Sequence, residues 1–154
     1  MANSGPRPLV TGNWKMNGTT AILKEPRLLA SMLRDVKLKC EVLVCPPATL
    51  IRRVKSVMKG SRIKVGGQDC HWHVSGAHTG DVSAEMLKDA GCTSVIVGHS
   101  ERRANHAETD EMVAMKAKAA HGAGLISIIC IGETLDQRKG GKTIGVVSGQ
   151  LKGS

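Results

Sequence analysis

The sequence predicts an α/β protein built on a parallel sheet of five βα units, and three observations predict it. Short apolar runs alternate strictly with longer amphipathic segments, the connections between them are short, and the apolar runs show no polar face. A strand that is apolar on both sides must be covered on both, as parallel sheets are. With 154 residues, 41% of them apolar, the chain (1–154) has the size of a single domain with a real core.

The elements follow in order. Leu9-Val10-Thr11-Gly12 reads as the first strand, and Ala21 to Leu33 as a helix whose start is left open by Pro26. Val42 to Cys45 is the second strand, Ala48 to Met58 the second helix and Ile63 to Gly66 the third strand. Gln68 to Asp81 then breaks the rhythm: it is too polar and glycine-containing for a helix, and a loop this long at strand ends is a functional or partner-binding segment. Ala84 to Ala90 is a helix with Ser83 as its N-cap, and Val95 to Gly98 is a strand. Glu108 to Ala120 is a helix and Leu125 to Ile131 the fifth strand. Thr134 to Leu151 reads as one final helical segment, weakened by glycines that each cost up to about 1 kcal/mol against alanine.

Composition narrows the function classes. Lys+Arg 22 against Asp+Glu 13 gives a net charge of +9, which favours anionic ligands over cationic ones. The basic residues Arg52, Arg53, Lys55, Lys59, Lys116 and Lys118 are scattered along helices as a solvated surface, and there is no Phe or Tyr to stack a base, so no nucleic acid partner is expected. No apolar run reaches a membrane span or the apolar core of a signal peptide, so the expected setting is cytoplasmic. Five cysteines, none spaced as CxxC, predict reduced and mostly buried thiols.

The chemistry is expected at the strand ends. The fourth strand runs through Gly98 into His99, and Ser100 and Glu101 can open a short helix there. An imidazole at a helix start suits a neutral hydrogen-bond donor, an electrophile more than a base. After the first strand, Asn13 and Lys15 lie two apart in an extended turn. They form either a donor pair for an anionic, enediolate-like ligand or a plain Asn17-Gly18 turn with a solvated lysine.

Four segments taken together decide between these. Gly-Asn-Trp-Lys-Met-Asn after the first strand, Gly-Ala-His-Thr-Gly-Asp after the third, Val-Gly-His-Ser-Glu-Arg-Arg after the fourth and Ile-Cys-Ile-Gly-Glu-Thr at the fifth have the order and spacing of one family. The chain resembles triosephosphate isomerases along nearly its whole length. The resemblance implies a parallel (β/α) barrel of the TIM type, incomplete here with five βα units present, and an isomerase of glycolysis and gluconeogenesis. Such an enzyme interconverts dihydroxyacetone phosphate and glyceraldehyde 3-phosphate through an enediolate, with no cofactor, as a homodimer. It implies His99 as electrophile, Lys15 as the cation that holds phosphate and enediolate charge, Asn13 as a substrate-binding amide and Glu101 as a charged neighbour of the active site. Ser100 would support the helix start and Cys130 would pack nearby. Gln68 to Asp81 resembles the dimerisation loop, with Gly76, His78 and Thr79 at its tip and His78 standing where many members carry tyrosine.

A complete barrel needs about 250 residues, roughly 31 per unit. The family's Tyr-Glu-Pro-x-Trp segment with the catalytic base, the lid after it and the later glycine-rich phosphate loop have no counterpart here, so the chain is expected to be the amino-terminal portion of a barrel, truncated and inactive alone. Glu133 belongs to the matched Gly-Glu-Thr motif and is not expected to be the base. An alternative is a non-catalytic fragment that associates with a full-length isomerase subunit. His71, His73 and His78 bring no carboxylate or thiolate pattern with them, so no metal is expected.

Overall fold

In a computed structural model, which describes residues 5–154, five strands pair in parallel in chain order: β1 (Leu9–Asn13), β2 (Glu41–Cys45), β3 (Lys64–Gly67), β4 (Ser94–Val97) and β5 (Ile126–Ile129). Sequential order with crossovers of one hand places every helix on the same side of the sheet, which is the wall of a barrel and not a doubly wound sheet. The side chains sort accordingly. Val44, Val65, Val95 and Val97 join the main cluster beneath the helices, while Leu43, Cys45 and Ile96 form a second cluster on the other face with Ile128 and Cys130. Alternation along β2 and β4 produces this division.

The helices are α1 (Lys24–Met32), α2 (Ile51–Val57), α3 (Ala84–Asp89), α4 (Ser100–Asn105), α5 (Asp110–Gly122), α6 (Leu135–Lys139) and α7 (Thr143–Gly153). Helices expected from Ala21 and Ala48 begin instead as 3-10 turns, Thr20–Leu23 and Ala48–Leu50. Pro26 is buried in the first turn of α1, where its missing N–H would have had no helical partner. Ser83 caps α3 by accepting from the Met86 N–H, as expected. The last segment is two helices, not one: Gly140 closes α6, Gly141 takes φ +68°, and the chain restarts as α7. The fifth strand is shorter than expected because it pairs only with β4, through Ile126–Ile129.

Among the described residues β1 and β5 each pair on one side only. Val10 and Ile126 are each 58% exposed, so the two sheet edges carry open apolar surface. The cysteines are all free, as expected, and burial pushes the thiols of Cys45, Cys70 and Cys92 up to about 12.

Lys116 corrects the expectation of a solvated basic surface. It is 3% exposed and its Nζ meets Asp69 at 2.8 Å and Glu108, while Arg102 joins the same two carboxylates. One cluster of four charges thus ties the loop after β3 to α4 and α5.

Gly98 is required at the end of β4. Its φ is +68°, and a Cβ there would stand 2.8 and 2.9 Å from the two methyls of Val113. Gly98→Ala is expected to cost roughly 2–4 kcal/mol, from left-handed strain and overpacking together. Urea unfolding measures it, and a loss under about 1 kcal/mol would show that α5 yields easily.

Candidate active site

The site lies at the carboxyl ends of β1, β3 and β4, around a cleft of about 560 Å3 whose lining includes Asn13, Lys15, Gln68, His99 and Glu101. Parallel register brings these ends level: Asn13 pairs with Cys45, and Gly67 with Val95. Three sequence-expected residues, Asn13, Lys15 and His99, therefore face one space although up to 86 residues separate them, and Glu101 is joined to Lys15 directly.

The turn after β1 is not extended as expected. Lys15 takes φ +53°, a left-handed conformation that a β-carbon disfavours. Three bonds hold it there. Its N–H donates to Asn13 Oδ1 at 2.9 Å, its carbonyl accepts from Gln68 Nε2 at 2.9 Å, and its Nζ reaches Glu101 Oε1 at 2.6 Å. With its oxygen engaged, Asn13 keeps its amide N–H donors for a ligand. Gln68 also donates to the Cys45 carbonyl at 2.8 Å, so this one amide fastens β2 to the Lys15 turn. Its part was hidden in the sequence, where Gln68 was only the first polar residue after a strand.

His99, not Ser100, caps α4. Its Nδ1 accepts from the Glu101 N–H at 3.2 Å, and Ser100 is simply the first helical residue. Accepting at Nδ1 assigns the proton of the neutral ring to Nε2, which becomes the donor. Behind it, Arg103 donates to the Gly98 carbonyl at 2.8 Å and pairs with Asp110 at 2.5 Å, fixing the backbone that carries the imidazole. Nothing in the sequence distinguished Arg103 from its neighbour Arg102.

Two carboxylates, one following β4 and one following β5, are poor proton acceptors. The hydrogen bond from Lys15 holds Glu101 below the usual carboxylate range, and the nearby Lys15 charge adds to this. Glu133 is likewise held low, by its own backbone N–H and by Arg138, and also accepts from Thr143 at 3.2 Å. Burial pushes the Cys130 thiol up, which leaves it a packing group beside Ile96 and Ile128.

The loop from Gln68 to Asp81 is irregular, as expected, with one bridge from His71 to Ser83. Gly76 and Thr79 are exposed at its tip, and the His78 ring folds back onto His71. Among the described residues no helix is long and apolar enough to cross a membrane.

Comparison with known proteins identifies the family. The triosephosphate isomerase family model fits residues 8–154. The triosephosphate isomerase of Ruegeria pomeroyi is 57% identical over 148 residues, which are 96% of this chain and 58% of that protein. That of Bradyrhizobium diazoefficiens is 53% identical, covering 96% of this chain and 59% of the relative. A crystal structure of triosephosphate isomerase from Bartonella henselae superposes with a TM-score of 0.92 at 48% identity, over 97% of this chain and 62% of that one. The chain therefore spans about three fifths of the length of these relatives. With its five parallel βα units, its strand-end cleft and these matches, the chain belongs to the triosephosphate isomerase family.

Proposed function

We propose that residues 8–154, as one domain, supply the electrophile, the cation and the amide for interconverting dihydroxyacetone phosphate and glyceraldehyde 3-phosphate. This is an intramolecular aldose-ketose isomerisation of glycolysis and gluconeogenesis. The observation that carries the reading is the convergence of Asn13, Lys15 and His99 on one cleft, with the imidazole proton assigned to Nε2. His99 Nε2–H polarises the substrate carbonyl and passes protons between the two oxygens, while Lys15 Nζ balances the phosphate and the developing enediolate. Glu101 keeps the ammonium aimed into the cleft until an anionic ligand replaces it.

Proton abstraction from carbon needs a free carboxylate, and Glu101 and Glu133 are both engaged with cations. The base of this proposal comes from residues other than these 154. The protein acts as a cytoplasmic homodimer whose Gln68 to Asp81 loop, with Thr79 at its tip, enters the neighbouring subunit.

Binding tests the part these residues play. A phosphorylated two-carbon acid, whose carboxylate resembles the enediolate, is expected to shift the amide resonances of residues 13–17 and 99–102. Lys15→Met is expected to weaken that binding at least about tenfold, a loss of roughly 1.4 kcal/mol. Shifts confined to other regions, or equal affinity in the variant, would remove Lys15 from the reading.

A further inference from the structure

The loop that follows β3 gathers three imidazoles. One ring nitrogen from each of His71, His73 and His78 lies within 4.8 Å of the others, and His73 Nδ1 stands 2.9 Å from His78 Nε2. The rings also stack, His71 on His78 at 4.0 Å between centroids and His71 on Trp72 at 4.3 Å. The His73–His78 contact is a hydrogen bond between ring nitrogens, so one of the two donates its N–H and the other accepts.

We propose that His71, His73 and His78 form a binding site for a divalent first-row metal ion of the zinc, nickel or copper class. Nitrogen ligands on a tetrahedral ion, each about 2.0–2.1 Å from it, stand roughly 3.3 Å apart. To reach that spacing the His73–His78 pair opens by about 0.4 Å and the proton it shares moves to the other nitrogen of the donor ring. Imidazole without thiolate suits zinc, nickel and copper, and the absence of a converging set of oxygens disfavours calcium and magnesium.

The tautomer of His71 is already set. Its Nδ1 accepts from the His73 N–H at 3.0 Å, so the ring proton sits on Nε2, which faces Asp81 Oδ2 at 3.9 Å. Nδ1 is thus the nitrogen with a lone pair to give, at the expense of one backbone hydrogen bond. An N–H turned toward a carboxylate is the usual support of a metal-bound histidine. Three protein ligands leave the fourth position to water.

His73 is exposed and His78 half-buried at the loop surface, so both can be changed without opening the core. Titration of the purified, metal-free chain with Zn2+ by calorimetry is expected to give one site. In His73→Ala and His78→Ala, affinity is expected to fall at least about tenfold. His121→Ala, which lies elsewhere, should leave it unchanged. With Co2+ in place of Zn2+, the visible spectrum is expected to show a four-coordinate ion with no thiolate charge-transfer band. Binding weaker than about 1 mM, equal affinity in both loop variants, or a thiolate band from the free cysteines would each overturn the site. Circular dichroism on each variant separates loss of ligands from loss of fold. None of the three histidines lines the cleft of Asn13, Lys15 and His99, but all lie in the loop proposed to enter the neighbouring subunit, so size-exclusion chromatography on each variant separates loss of metal binding from a change of oligomeric state.

Discussion

Lys116→Met is expected to cost about 3–5 kcal/mol, a large share of the 5–15 kcal/mol that holds a domain of this kind together. Glu108 and Lys116 are 6% and 3% exposed, and Asp69 and Arg102 close the group around them. Removing the lysine leaves two carboxylates to share Arg102, and Glu108 Oε2 is a buried atom without a hydrogen-bond partner even before the change. Methionine fills the volume, so the loss reports charge and not a cavity.

The pH dependence identifies the cause. Burial raises Glu108, but the hydrogen bonds and charges of Lys116 and Arg102 outweigh it, so its folded pKa lies below the unfolded value. That stabilisation is fully present above the usual glutamate range, near about 4.3, and is lost as pH falls through the lower folded value. Asp69 works in the opposite direction. Burial wins over Lys116 and Arg102 there, its folded pKa is raised, and its contribution is lost as pH rises through that value. Without Lys116 both carboxyls favour protonation in the fold, so the deficit of the variant should shrink from pH 7 toward pH 4. Denaturant unfolding across that range measures it, and a deficit independent of pH would point to packing instead.

Purified chain of these 154 residues is expected to convert glyceraldehyde 3-phosphate at background rate in a coupled assay. A positioned base is worth about 10²–10⁴-fold, and exclusion of water from the enediolate adds to that. In the proposed reading His99 and Lys15 stabilise charge and neither takes the proton from carbon, so turnover should lie at least about 10³-fold below a full-length family member. Turnover comparable to such an enzyme would mean that a carboxylate in this chain acts as the base. Glu133→Gln would then identify or dismiss the candidate that Arg138 holds at 2.6 Å.

Much of the fold was legible in the sequence because its signals are local. All five strands were marked by apolar runs bounded by glycine or polar residues, and Ser83 marked its helix by the chemistry of the N-cap. Boundaries were less secure. Nothing local separated 3-10 turns from α-helix at Thr20 and Ala48, and Gly140-Gly141 signals a weak helix without saying that the chain breaks there. His99, Asn13 and Lys15 were legible because each follows a strand directly, and parallel strands bring such positions to one end.

By itself the sequence determined the five βα units, the end of the sheet that carries Asn13, Lys15 and His99, and the family, since periodicity, caps and motifs are properties of neighbouring residues. Tertiary structure alone decided what distant residues do to one another. It placed Gln68 under the Lys15 turn, chose His99 over Ser100 as the cap, drew Lys116 out of the expected solvated surface into a buried cluster, and closed three loop histidines around one point. Burial and long-range charge depend on which surfaces meet in the fold, and no window along the chain contains that information.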